Sequence, residues 1–289
     1  MLVMLFGVLI IGSLAVFTKS QYTRTILVTG STQGIGRITA LQLLQNPEIF
    51  VILHGRNQSR CDNVTNWMSS RISTSNYACV IGDFLRLNEV VSLANDIKQR
   101  FPSINVVVEN AGILNNEVRY TEDNLEELFQ VNHLAHFLLA QLLKSTLIRN
   151  APSRFVIVSS VAHQWAKENS WDDFYSNETS TSWRDLYGKS KLWNILFTDT
   201  FAESLPPNVT ANSLYPGWFQ TMLSRWSGFP VEWVRTPAYL ATADNATGIT
   251  GEYFNEKQKI ISKSSLVTKE NREKLWNFSE NILKLKNLL

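Results

Sequence analysis

Beyond its first two dozen residues the chain alternates short apolar runs with longer stretches in which apolar residues recur at helical spacing. Thr25 to Thr29, Phe50 to His54, Tyr77 to Ile81, Asn105 to Glu109 and Phe155 to Ser159 have strand length and little polar alternation, as strands covered on both faces require. Between them, Leu125 to Leu143 sets Leu125, Leu128, Phe129, Leu134, Phe137 and Leu138 along one side of a helix. Farther on, the pattern predicts a helix around Tyr187 to Glu203 and a strand near Val209 to Leu214. A shorter helix follows near Pro237 to Ala243, and a last strand near Thr250 to Phe254. Alternation of this kind builds βαβ units, so the expected class is α/β with a parallel sheet between helical layers. No internal repeat interrupts it.

Both ends depart from this pattern. Met1 to Phe17 carries no charged side chain; as a helix it would span about 26 Å, slightly short of a hydrocarbon core. Lys19 and Arg24 follow it, and no positive segment precedes it. We therefore expect a membrane anchor at 1–17, a linker at 18–24, the α/β unit at 25–256 and a helical C-terminal extension at 257–289, with the unit on the cytosolic side of the endoplasmic reticulum. Asn-x-Ser/Thr triplets at Asn57, Asn63, Asn177, Asn208, Asn245 and Asn277 support the alternative, a luminal domain behind a signal segment. The net charge of +2, without a basic run, gives no reason to expect nucleic acid. Cys61 and Cys79 have no metal-type companions at short spacing, and both are read as ordinary structural thiols.

The first strand runs directly into Thr29-Gly30-Ser31-Thr32-Gln33-Gly34-Ile35-Gly36, and a helix follows. Glycines there permit a tight turn and let a pyrophosphate approach the helix N-terminus. The Gly-x-x-x-Gly-x-Gly spacing after Thr29 resembles the short-chain dehydrogenase/reductase family. The resemblance covers nearly all of the chain after the anchor and implies a single Rossmann-type doubly wound sheet. It carries Asp83 to the adenine, and Asn110-Ala111-Gly112 to the cofactor wall. Glu109 stands where the family has a further asparagine, a change expected to bear on the sheet more than on chemistry. The second strand ends in His54-Gly55-Arg56-Asn57 without a carboxylate for a ribose hydroxyl. With Arg37 just after the glycines, Arg56 is expected to hold the 2'-phosphate of NADP(H).

Tyr187 and Lys191 lie one helical turn apart, a spacing that brings an ammonium near a phenol and favours its ionised form. Asn132, within Phe129-Gln130-Val131-Asn132-His133-Leu134, and Ser160, within Ser159-Ser160-Val161-Ala162-His163, resemble segments of the retinol-dehydrogenase subgroup. In that pattern Tyr187 is the general acid or base, Lys191 lowers its pKa and holds the ribose, Ser160 binds the reacting oxygen, and Asn132 holds a relay water. Pro216, Gly217 and Thr221 take the family's nicotinamide-carboxamide positions. Trp165, Trp171 and Trp183, in an insertion before Tyr187, are candidates for an apolar pocket wall.

The implied function is NADP(H)-dependent hydride transfer to or from a small hydrophobic substrate: a retinoid, steroid or other lipid. The oligomer the resemblance allows is a homodimer. Only fourteen residues separate Thr221 from Thr236, a short lid by the family's standard. That and Glu109 motivate an alternative, a dinucleotide-binding regulatory or scaffold protein with little turnover. A second alternative is a reductase of small soluble carbonyls whose N-terminal segment is cleaved.

Overall fold

The computed structural model describes residues 22–166, 182–219 and 230–289. The anchor, most of its linker, Trp171, Asn177, Thr221 and most of the short lid lie outside the described residues. Seven parallel strands form one sheet: β1 (Arg24–Val28), β2 (Ile49–Gly55), β3 (Tyr77–Ile81), β4 (Val106–Glu109), β5 (Ser153–Val158), β6 (Val209–Leu214) and β7 (Tyr253–Phe254), in the order β3-β2-β1-β4-β5-β6-β7. The order reverses between β1 and β4, which opens a crevice at the carboxyl ends of the central strands. Strand β7 is shorter than the expected Thr250 to Phe254, because Gly251 turns the backbone to φ +73° and the Thr250 hydroxyl takes the Ala211 amide.

Successive strand residues feed opposite layers. Ile26, Val28, Val106 and Val108 pack beneath α1 (Gly34–Leu43), α2 (Gln58–Ser69) and α7 (Thr236–Thr242). Leu27, Val107, Phe155 and Ile157 pack beneath α3 (Leu87–Arg100), α5 (Ala135–Arg149) and α6 (Trp183–Glu203). The C-terminal helix α8 (Lys269–Leu285) lies on that second layer, with Leu275, Ile282 and Leu283 buried in it. Each such side chain contributes about 2 kcal/mol by leaving water. Among the described residues no helix is long and apolar enough to cross a membrane.

The stretch expected as one helix from Leu125 is divided. Asn124 has φ +58°, and Glu126 accepts from the amides of Leu128 and Phe129 to start the three-residue α4 (Glu127–Phe129). One π-helical stretch, Gln130–Leu134, then leads into α5. The cysteines also differ from the sequence reading. Cys61 in the first turn of α2 and Cys79 in β3 form a disulfide, their Cα atoms 5.7 Å apart. Strand β3 pairs with β2, and α2 connects the two across the sheet edge; this packing, invisible in an eighteen-residue separation, brings the sulfurs together.

Candidate active site

A cavity of about 990 Å3 opens at the carboxyl ends of the strands. On one side it is lined by Gly30, Thr32, Gln33, Gly34 and Ile35, by Arg56 and Asp83, and by Asn110, Ala111 and Gly112. Ser160, Tyr187, Lys191, Pro216 and Gly217 line it on the other. Ser31, Gly36, Arg37 and Asn132 support its walls or lie apart from it.

The glycine loop is held from behind. The Gly30 amide donates to Nδ1 of His54 at 3.0 Å, and Nε2 of that ring lies 2.9 Å from the Gly82 carbonyl, so the imidazole is neutral with its proton on Nε2. Burial holds the His54 pKa down at about 4, against the Gly82 contact and Asp83. His54 is a supporting residue that sequence reasoning missed; its signal was a histidine at the end of a buried strand. Ser31 accepts from the His54 amide at 2.8 Å instead of facing the cavity. A side chain at Gly30 would stand 2.8 Å from Ala111 Cα, and one at Gly36 would overlap Asn110 and the Gly30 carbonyl. These bare positions, together with the cavity, fit a dinucleotide.

The arginines sort differently from expectation. Arg56 is exposed and lines the cavity. Arg37 does not; its guanidinium lies 4.3 Å from the centre of the Trp67 ring, on a residue that also meets Arg71. Its place is taken by Arg60, one turn into α2, which lines the cavity and donates to Gln33 Oε1 at 3.2 Å. Gly55, beside it, leaves room for Thr32, whose methyl group would stand 2.8 Å from a Cβ there. Asp83 caps its own turn by accepting from the Leu85 amide.

Between β1 and β4, Thr29 Oγ1 accepts from the amides of Asn110 and Ala111 at 2.8 and 2.9 Å and lies 3.0 Å from His136 Nε2. His136 Nδ1 in turn lies 3.3 Å from the Asn132 carbonyl. This chain fixes the Asn110 to Gly112 turn against the π-helical stretch. The Asn132 side chain pairs with both backbone groups of Ile113 and donates to Ser190 Oγ at 3.0 Å. Gly112 leaves a space bounded by Asn132 Oδ1 and Lys191 Nζ, which lie 3.2 and 3.5 Å from where its Cβ would be.

The two serines divide their tasks. Ser159 donates to the Lys191 carbonyl at 2.7 Å, while Ser160 caps the following turn and hydrogen-bonds the Tyr187 hydroxyl. Tyr187 lies in the second turn of α6, and Lys191 Nζ is 5.7 Å from its ring centre and 3.3 Å from the Val158 carbonyl. The phenol pKa moves opposite to expectation. Burial pushes it up to about 12 despite the Ser160 contact, and burial also brings the Lys191 ammonium down to about 8. For both groups desolvation is the largest effect, penalising the charged form of each.

The remaining wall is aromatic: Trp165, Trp183, Trp218 and Phe219 face the cavity. Glu109 does not. It is wholly buried on the sheet face that carries Thr29, both carboxyl oxygens lack a hydrogen-bond partner among the described residues, and burial raises its pKa well above the usual carboxylate range.

Residues 24–227 match the family model described as short chain dehydrogenase. Human retinol dehydrogenase 14 is 33% identical over 294 residues, covering 90% of this chain and 86% of that protein. The WW domain-containing oxidoreductase of Gallus gallus is 32% identical over 283 residues, covering 90% and 68%. In fold, a protein from Mycobacterium Paratuberculosis superimposes with a TM-score of 0.75 at 24% identity over 91% of this chain and 94% of its own. A short chain dehydrogenase from Shigella flexneri 2A str. 301, solved with NADP, gives 0.67 at 21% over 82% and 98%. With its glycine loop, parallel sheet and family match in agreement, the chain belongs to the short chain dehydrogenase family of nicotinamide-dependent oxidoreductases and is retinol-dehydrogenase-like within it.

Proposed function

We propose that the protein is an NADP(H)-dependent oxidoreductase acting on the alcohol or carbonyl group of a hydrophobic substrate, a retinoid, steroid or other lipid. The observation that carries this reading is the shared cavity: Ser160, Tyr187 and Lys191 line it together with the glycine loop, and Trp165, Trp183 and Trp218 line it as well. NADP(H) is favoured over NAD(H) by two cavity arginines, Arg56 and Arg60, and by a β2 end without a carboxylate.

The bound nicotinamide would supply or accept the hydride. Tyr187, kept neutral by burial, gives its proton to the developing alkoxide in reduction and recovers it in oxidation. Ser160 orients the reacting oxygen with the hydroxyl that also touches Tyr187. Lys191 restores the phenol's proton, and Asn132 holds a water beside it in the space left by Gly112. Asp83 and the Asn110 to Gly112 turn, which line the cavity, would hold the adenosine and ribose, and Pro216 and Gly217 the carboxamide. Residues 25–256 form the catalytic unit and 257–289 its extension, held at the endoplasmic reticulum membrane by residues 1–17.

NADPH and NADH oxidation by the full-length protein against retinals, steroids and aliphatic aldehydes tests this reading. Tyr187→Phe is expected to lower reduction by about 10²- to 10⁴-fold with NADPH binding retained; turnover equal to the parent rules the mechanism out. The reductive rate is expected to decline as pH rises through about 8, where Lys191 loses its proton. NADPH binding with no substrate-dependent oxidation across the panel would instead assign a regulatory or scaffold role.

A further inference from the structure

Disulfides persist in oxidising compartments and are rare where glutathione keeps thiols reduced. The Cys61–Cys79 bridge ties α2 to β3, and Cys61 is buried. The Asn-x-Ser/Thr triplets are an independent observation bearing on the same property. A glycan is bulky and polar, so an acceptor asparagine must reach solvent in the folded protein. All five acceptors among the described residues, Asn57, Asn63, Asn208, Asn245 and Asn277, are exposed, whereas Asn132, Asn194 and Asn212 are buried.

Asn208 and Asn245 stand at one edge of the sheet where a glycan would leave the cavity open. Asn208 lies in the turn leading into β6, and its carbonyl accepts from the Ser153 amide at the start of β5. Asn245 lies in the 3-10 turn after α7, and Thr247 of its triplet accepts from the Arg154 guanidinium at 2.8 Å. Both positions are at the amino-terminal edge of the sheet, opposite the strand ends that line the cavity. Asn57 differs, because it caps α2 by accepting from the Arg60 amide and its neighbour Arg56 lines the cavity. A glycan there would cover the mouth.

We propose that this domain folds in an oxidising, glycan-transferring compartment, where Cys61 and Cys79 are joined and Asn208 and Asn245 carry N-linked oligosaccharides. This selects the luminal alternative over the cytosolic orientation and is independent of cofactor choice and substrate. In bridge formation the two thiols lose two electrons and two protons to a disulfide-bearing oxidant protein, which leaves as a dithiol. In glycan transfer from a lipid-linked oligosaccharide diphosphate, each asparagine amide nitrogen bonds the anomeric carbon. The lipid diphosphate departs and an amide proton is lost.

The full chain is expressed in eukaryotic cells, its free thiols are trapped on lysis with a maleimide polymer before and after reduction, and the product is digested with peptide N-glycosidase. Thiol labelling is expected only after reduction. Digestion should lower the mass, with one step fewer in Asn208→Gln and in Asn245→Gln and no change in Asn57→Gln. So that misfolded variants cannot decide the result, peptides of the unsubstituted protein digested in 18O water are mapped; each occupied asparagine appears as labelled aspartate. Two thiols labelled before reduction, or no labelled aspartate at either 208 or 245, overturns the proposal.

Discussion

At the scale of single residues, the same side-chain type does different work a few positions apart. Arg37 and Arg60 both lie near the glycine loop, but one stacks on Trp67 and the other lines the cavity beside Arg56. A charge-assisted hydrogen bond to phosphate is worth about 1.5–3 kcal/mol. Arg56→Ala and Arg60→Ala are therefore expected each to weaken NADPH binding by roughly 10- to 100-fold while leaving NADH nearly unchanged. Arg37→Ala should alter neither, and titration of tryptophan fluorescence with each nucleotide measures all three. The residue types that line the cavity at Ser160, Tyr187 and Lys191 were legible in the sequence. The upward shift of Tyr187 was not, because it depends on how much water the fold removes from around the phenol.

At the scale of elements, the π-helical stretch and the end of β4 show what helical periodicity misses. Apolar spacing marks a helix from Leu125 onward, yet its backbone register changes at Gln130–Leu134, where Asn132 binds the Ile113 backbone. One extra backbone residue in a helical turn leaves little trace in the hydrophobic pattern. At the end of β4, Glu109 is buried with no hydrogen-bond partner among the described residues, and burial raises its pKa well above the usual carboxylate range. A carboxyl whose folded pKa is raised binds more protons folded than unfolded, so its presence lowers stability as pH rises above the unfolded value of about 4.5. Glu109→Gln is expected to flatten that decline and raise the melting temperature more at pH 8 than at pH 5. Thermal unfolding at the two pH values checks it; an equal shift at both would show that the carboxyl ionises freely in the fold.

For the whole molecule, four buried histidines set the acid limit, with His163 shifted down by burial like the other three. Burial lowers His54 to about 4 and His133 and His136 to about 3. A histidine depressed on folding binds fewer protons folded than unfolded, so the stability it confers is present above about 6.5 and is lost as pH falls toward those values. Equilibrium denaturation from pH 7 to 4 should show a fall of several kcal/mol, on the order of 1.4 kcal/mol for each histidine and pH unit. The disulfide acts on the unfolded chain. Its eighteen-residue separation corresponds to about 3 kcal/mol, so the Cys61→Ser/Cys79→Ser protein is expected to unfold at lower urea, with the difference between oxidised and reduced parent abolished.

Element order, the glycine loop and the residue types of the catalytic pattern are local properties, carried by periodicity and short spacings, and the sequence by itself determined them. Only the tertiary structure decided which arginines reach the cavity, that Cys61 and Cys79 meet, where the helix register shifts, and which way burial moves the Tyr187 proton. Each of these depends on distances between elements remote in the chain and on the water excluded between them, quantities that no window along the sequence contains.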